Sequence, residues 1–461
     1  MRDRLGLPAI YHLDTCSFRG GSAGAFALPA LSLTTWLAVF VATLSAFHAA
    51  AAERLLLRPA VVHTVSGASL TNGSVLIEGD KIVAVGIAVP VDGAKVIELP
   101  GQQLFPGLIA PLTTLGLMEI DAVRASIDTR ESGQFHPEVQ SWVAVNPDSA
   151  LIPVARANGV THAVPVPQGG IVAGQSALVA LDGWTVEQMT QKRSLAMHLY
   201  WPSAALDTTP KELAGDPKSW KSLEDQAKER RKKLQEIDTF FTEAAAYQKG
   251  RTNGSPIVPS WEAMLPLLRG QIPLVIHAND LREIRAALKW TEGKPFRVVL
   301  AEARDAALAS DELAKRRIPV IFQATFVRPD DGQSYDALFG AAGQLHKAGV
   351  SVSIAFKDPT FNDEASFVRN APYAAAHAMA YGLPRDEALR SITLNPAKAY
   401  GLADRLGSIE PGKEATFIAV DGDILDVRAK VLRIWIAGRE VGTGSKHTLL
   451  YERYKARPKA K

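Results

Sequence analysis

The sequence predicts an α/β protein, a closed (β/α)8 TIM-like barrel carrying a small composite β-sandwich built from its N- and C-terminal segments. Three observations predict it. The stretch from about residue 106 to 402 repeatedly pairs a β-rich run with an amphipathic one. Short alternating strand-like runs stand at both ends of the chain instead of at one. The 461 residues, 47% hydrophobic and 21% charged, suffice for one large barrel and a smaller domain.

The N-terminus stands apart. The apolar run LSLTTWLAVFVATLSAF ends in the small residues HAAAAE and follows Arg2, Arg4 and Arg19. This is the pattern of a secretory signal, assigned to residues 1–52, with export to a periplasm as the expectation. A retained leader of this length predicts a membrane anchor instead. The single cysteine, Cys16, lies inside the leader, so the remainder has neither a disulfide nor a cysteine metal site. The net charge of +3 is spread along the chain and implies no nucleic-acid surface.

From Arg54, AVVHTVSG, SVLIEGDKIVAVG and KVIELPGQQLFPG alternate apolar and polar residues around Gly, Asn and Asp turns. GSIEPGKEATFIAVDGD and KVLRIWIAGREV do the same near the other end. Pairing of the two sets makes one sandwich from residues 53–105 and 404–447, with the barrel, residues 106–403, inserted between them. Residues 448–461 form a C-terminal tail. Inside the barrel, IPVARANGVTHAVPV, IPLVIHANDLREIRAALKW, FRVVLAEARDAALASDELAKRRIPVIFQ and HKAGVSVSIAF are the βα units. Gly159, Gly270 and Gly349 sit just before strands, where helices commonly stop. Trp220 to Gln248 is a charged insertion whose Leu223, Ala227, Leu234, Ile237, Phe241 and Ala244 mark one apolar helical face. The run KERRKKLQE lies mostly on the opposite face and predicts a solvated surface.

The run SVLIEGDKIVAVG followed by LFPGLI resembles the entry of amidohydrolase-superfamily enzymes. ALRSITLNPAKAYGLADRLGSIEPGKEATFIAVDGD resembles their exit. NPDSALIPVARANGVTHAVPVPQGGIVAGQSALVALDG is similar to the imidazolonepropionase/prolidase-like branch. The resemblance implies a distorted barrel with a composite sandwich, and hydrolysis of C–N bonds in amides, cyclic amides or dipeptide-like substrates by metal-activated water. A divalent metal lowers the pKa of its bound water and polarises the carbonyl. Its histidine and carboxylate ligands stand at the C-terminal ends of the barrel strands.

The ligand positions that the resemblance implies are largely altered. The two histidines that follow the first strand are replaced in PGLIAPLTTLG by Leu112 and Thr114. The bridging lysine position counts to Ala180. PLVIHAND keeps His277, VVLAEARDA places Glu302 where a histidine is usual, and SVSIAFKDP places Lys357 at the aspartate position with Asp358 adjacent. A reduced centre would hold one divalent metal, zinc, on His277 and Glu302, with Asp358 as the proton shuttle and His277 also a catalytic candidate. A metal-free route would use His277 as a general base. Ser176 in GQSA lies outside any Gly-x-Ser-x-Gly elbow and has no marked base.

The polar stretch GLMEIDAVRASIDTRESGQFHPEVQ after the first strand offers Asp121, Arg124, Asp128, Arg130 and His136 as substrate contacts. VPQGGIVAGQS adds Gln175 and a candidate backbone anion nest. The sequence therefore supports two functions: a C–N hydrolase with a reduced or lost metal site, or an inactive pseudo-amidohydrolase serving as a binding or partner subunit. Its partner is a small-molecule substrate or ligand, not nucleic acid, and the chain is expected to form a homo-oligomer or pair with an active relative.

Overall fold

The computed structural model describes residues 53–252, 254–329, 332–356 and 364–457. Residues 1–52, read from the sequence as a secretory signal, and Lys357 and Asp358 lie outside them.

Among the described residues, sixteen strands form two sheets. The first sheet takes β1 (Arg54–Val62), β2 (Leu70–Thr71), β3 (Ser74–Glu78), β4 (Lys81–Gly86) and β5 (Lys95–Pro106) from the N-terminal side. The barrel strands are β6 (Leu108–Thr113), β7 (Val160–Pro165), β8 (Val172–Ala180), β9 (Thr190–Tyr200), β10 (Leu274–Ala278), β11 (Val298–Glu302), β12 (Val320–Phe322) and β13 (Val352–Ile354). The C-terminal side contributes β14 (Phe417–Val420), β15 (Val431–Ile436) and β16 (Arg439–Val441) to the first sheet. The two ends meet where β14 pairs antiparallel with β5, Phe417 opposite Pro106 and Val420 opposite Gln103. Leu55, Leu57, Ile77, Leu104, Phe417 and Trp435 are buried together on that sheet.

β5 runs into β6 across Gly107, joining sandwich to barrel. A Cβ at Gly107 would lie 2.2 Å from Thr161 Oγ1 and 2.8 Å from Thr416 Cγ2, so only glycine permits this crossing. Another seam contact lies behind it. The buried His162 imidazole faces Glu414 at 3.7 Å, and Glu414 also accepts from Arg405 at 3.0 Å. Burial holds the His162 ring neutral, its pKa down to about 4, against the pull of Glu414.

The barrel sheet runs in chain order from β6 to β13. It departs from the all-parallel expectation at β8, which pairs antiparallel with both β7 and β9. The reversal follows Gly169 and Gly170, both with left-handed φ, of 86° and 71°. Between the edge strands β13 and β6 lies the helix Leu394–Ala399 with its flanks. Asn395 Nδ2 donates to Val352 O at 2.9 Å on one side. On the other, Ile109 N donates to Ile392 O at 2.9 Å and Tyr400 Oη donates to Pro111 O at 2.7 Å. Asn395, Ile392 and Tyr400 thus close the barrel seam with side-chain and backbone bonds where strand pairing stops, and Ala397 and Ala399 pack into the lumen cluster between them.

Side-chain alternation sends one set of residues into the lumen and the other against the helices. The lumen cluster contains Ile109, Leu112, Val164, Leu178, Val275, Val299, Ile321 and Ala355. The charged insertion is the helix Leu223–Gly250, started by Ser222, whose side chain accepts from Asp225 N. It buries Ile237, Phe240, Phe241 and Ala244, with Phe241 against Trp290 at 4.9 Å between ring centroids. Among the described residues no helix is long and apolar enough to cross a membrane.

Candidate active site

The C-terminal parts of β9, β10 and β11, with the middle of the reversed strand β8, bring five polar side chains into one hydrogen-bonded line. His277, on β10, is 4% exposed. Its Nδ1 is 3.1 Å from Glu302 Oε1, and its Nε2 is 2.9 Å from Nδ1 of His198 on β9. His198 Nε2 lies 2.8 Å from Ser176 Oγ on the reversed strand β8. The other Glu302 oxygen accepts from Asn279 Nδ2.

An ionised Glu302 fixes the direction of the whole line. His277 donates from Nδ1 to the carboxylate and so presents a lone pair at Nε2. His198 donates from Nδ1 into that lone pair and accepts the Ser176 hydroxyl at Nε2. Each imidazole then has both nitrogens engaged. Burial, and then the neighbouring His277, pushes the His198 pKa well below its ordinary value, so this ring stays uncharged.

Local backbone explains how the carboxylate arrives there. Ala301 pairs with His277 and shares its face, so simple alternation would turn Glu302 away. Glu302 and Ala303 instead adopt φ of +66° and +58°, left-handed values that cost a non-glycine residue about 1 kcal/mol or more each. The turn aims the carboxylate at His277. Asn279 is held by the next helix, Leu281–Trp290, where Glu283 closes a capping box with Asp280 and accepts from Asn279 N at 3.1 Å.

Tyr200 stacks on His277 with centroids 3.9 Å apart and donates to Pro167 O at 3.2 Å. Burial, then the nearby Glu302 and Glu364 carboxylates, raise its phenol well above the usual range, so it remains a neutral donor.

Other sequence candidates lie elsewhere or are already engaged. Gln175, read as a substrate contact, is buried with its amide in use. Its Nε2 donates to Pro137 O at 3.0 Å and Ala263 O at 3.2 Å, while Oε1 accepts from Ser194. It braces the loop after β6 against β8. Arg124 is exposed and turns back on its own loop, donating to Ile127 O at 2.6 Å. His136 N donates to Val172 O at 2.8 Å, while its half-buried ring leaves Nε2 without a partner. Arg130 lines a cavity of about 350 Å³ with Asp128, Glu131, Glu138 and Pro167. That cavity adjoins the mouth through Pro167, which holds the Tyr200 hydroxyl. Asp358 is outside the described residues.

Two sequence-based assignments need correction. Ala180 sits on the reversed strand β8 opposite His162 and cannot hold the bridging-ligand place. The strand that delivers side chains beside His277 is β9, through His198 and Tyr200. Ser176 does have a base within reach, His198, which the sequence reading passed over. A signal was present, since AMHLY and VIHAN both place a histidine after an apolar pair inside a buried run.

Among the described residues the candidate ligands are engaged with one another. Both nitrogens of His277 and both of His198 are committed to protein partners, as are both oxygens of Glu302. Leu112, at the first family ligand position, packs in the apolar lumen cluster and is 4% exposed. Among the described residues no three His, Cys, Asp or Glu side chains converge as a metal site.

With this geometry in place, the comparisons define the class. The amidohydrolase family profile matches residues 334–441. An amidohydrolase structure from Thermotoga maritima MSB8 is 26% identical and superposes with a TM-score of 0.71, covering 84% of this chain and 99% of that one. The chain resembles the amidohydrolase superfamily, whose chemistry is typically metal-dependent, in the sequence of its C-terminal part and in its fold. Amidohydrolase tasK of Hapsidospora irregularis is 22% identical over 406 residues, 79% of this chain but only 39% of the relative's own length. Imidazolonepropionase of Syntrophobacter fumaroxidans is 25% identical over 152 residues, 33% of this chain and 34% of the relative. The chain thus spans well under half the length of these curated relatives.

Proposed function

We propose that this chain is a pseudo-amidohydrolase. It keeps the fold and barrel mouth of enzymes that hydrolyse carbon–nitrogen bonds, binds a small amide-type molecule there, and has exchanged the metal-activated water for a closed line of protein hydrogen bonds. One observation carries this reading: both lone-pair positions of His277 are taken, by Glu302 at 3.1 Å and His198 at 2.9 Å. A ligating imidazole must present one free nitrogen to the ion. Leu112 supports the reading by filling the lumen with carbon where a ligand would stand.

A second reading keeps a hydrolase with a reduced zinc site. It rests on the family resemblance and on the strained turn at Glu302, since left-handed non-glycine residues gather at working sites. Zinc titration of the full chain followed by thermal unfolding separates the two. A ligand that binds the native state raises its melting temperature by mass action. The pseudo-amidohydrolase shows no shift with equimolar or excess zinc and no amide hydrolysis. A saturable zinc-dependent rise, lost in His277→Ala, would establish the second reading.

The barrel mouth recognises a small molecule in either case, and the partner assignment is part of the proposal. The greater length of the tasK relative fits a barrel that works beside another protein module. Export, with the protein in the periplasm, is proposed from the apolar leader and its alanine-rich end.

A further inference from the structure

The positive charge of the chain is concentrated at its C-terminal end. Residues 446–461, KHTLLYERYKARPKAK, hold six Lys and Arg against one Glu, a net +5, so under a total of +3 the other 445 residues sum to −2. Most of this segment is the helix Lys446–Lys455. Its start is fixed. Ser445 is buried and closes a capping box with Thr448, whose Oγ1 accepts from Ser445 N at 2.9 Å. In the first turn Arg369 Nη1 donates to His447 Nε2 at 3.3 Å. The helix Leu151–Arg156 lies alongside, yet none of the ten residues of Lys446–Lys455 is buried. Isolated helices shorter than about 12–15 residues are marginal in water, and most helices in proteins are held by packing one face. This one has a fixed start and no packed face.

Helical spacing puts His447, Leu450, Tyr451 and Tyr454 on one side of it, at i, i+3, i+4 and i+7. Leu450, Tyr451 and Tyr454 keep 46%, 64% and 45% of their surface exposed. Lys446 and Arg453 border that side along one edge and Lys455 along the other, while Leu449 lies outside it. The cations stand over the rings: Arg457 and Arg453 are 4.4 and 5.7 Å from the centre of Tyr454, and Lys455 is 5.6 Å from that of Tyr451. Apolar bodies with polar tips, bordered by charges on flexible stems, suit a headgroup layer, where rings meet the acyl boundary and cations stay with phosphates. We infer that this helix docks the protein onto a bilayer bearing anionic phospholipid. Charge selects that occupant, since a second copy would set +5 against +5. Topology supports it. The strand directions make β16 end where β1 begins, four strand spacings or about 20 Å away, so the segment preceding Arg54 and the docking helix depart from one end of the sandwich. The inference is independent of what the barrel mouth binds.

The test is flotation of the full chain with vesicles of phosphatidylcholine alone and of phosphatidylcholine mixed with phosphatidylglycerol. A retained apolar leader binds both alike, so the helix is read from the difference between them. The anionic vesicles should bind at least about tenfold more tightly at low salt, and high salt should remove the gain, because exposed charges are screened. Lys455→Gln combined with Arg457→Gln should lose most of it, about fivefold for each basic residue. Leu450→Ser combined with Tyr454→Ser should weaken anionic binding at least about fivefold with every charge in place, through lost apolar burial. Neither pair should move the melting temperature, since all four residues are exposed, and this separates lost docking from a damaged fold. Equal binding to the two kinds of vesicle overturns the inference, as does unchanged binding in either pair of substitutions. A fall in melting temperature in Leu450→Ser with Tyr454→Ser would make that side of the helix part of the core and overturn it too. So would a dimer in gel filtration that the same pair dissociates, since the helix would then belong to a second copy of the chain.

Discussion

His277 Nε2 and His198 Nδ1 face each other at 2.9 Å across adjacent strands, and this pairing decides what the barrel mouth can do. Each ring is the other's partner, with Glu302 at one end of the line and Ser176 at the other. The line contains an alcohol, two bases and a carboxylate, the residue types of a nucleophilic relay. Ser176 is wholly buried, however, and its strand packs against β7 and β9, so the arrangement stores order in place of exposing a nucleophile.

The direction of the line is measurable. Long-range ¹H–¹⁵N spectra of histidine-labelled protein should show the Nδ1 of both His277 and His198 carrying the hydrogen of the line, with His198 neutral. Glu302→Ala strands the buried His277 N–H and should cost about 1–3 kcal/mol in urea unfolding. A protonated Nε2 on His277, or a stability change below about 0.5 kcal/mol, would break the proposed order of donors.

Leu112 should behave as core. Leu112→Ala removes side-chain volume from the apolar lumen and is expected to cost about 2–5 kcal/mol, as buried leucines do. An open site at that position would tolerate the change with a loss under about 1 kcal/mol.

The fold was largely legible because its signals are local. The strand runs around SVLIEGDK and KVLRIWIAG, the βα pairs, and the seam segment LNPAKAYG each carry their pattern within a few residues. Leu112, Thr114 and His277 could be read for the same reason. The reversal of β8 could not, since two glycines do not state which way the next strand pairs. Nor could the His198–His277 contact, 79 residues apart in sequence, which exists only because β9 and β10 align Tyr200 with His277. Gln175 misled because a polar residue beside glycines reads as exposed, whereas tertiary packing has enclosed it.

Acid should weaken the protein through its buried rings. His162 and His198 stay neutral when folded, with pKa values below the ordinary 6.5. As pH falls below about 6.5 the unfolded chain takes up protons that the folded chain refuses, so stability is full above that pH and declines towards 4. The shift of His162 to about 4 corresponds to a loss of up to about 3 kcal/mol. Glu414, whose carboxyl is held below its usual value against burial by the Thr416 hydroxyl and Arg405, adds a further loss at the acid end. Urea midpoints measured from pH 7.5 to 4 should fall along this course and flatten in His162→Gln. A midpoint independent of pH over that range would contradict the burial argument.

Elemental analysis of the full-length protein, purified without chelators, tests the central claim most directly. Mutual engagement of His198, His277 and Glu302 predicts zinc, manganese, iron, cobalt and nickel each far below one per chain, with the His277→Ala variant indistinguishable from the native protein. One or two divalent ions per chain, retained through gel filtration and lost in His277→Ala, would show that the histidine line opens to hold metal and that this barrel still carries its family's centre.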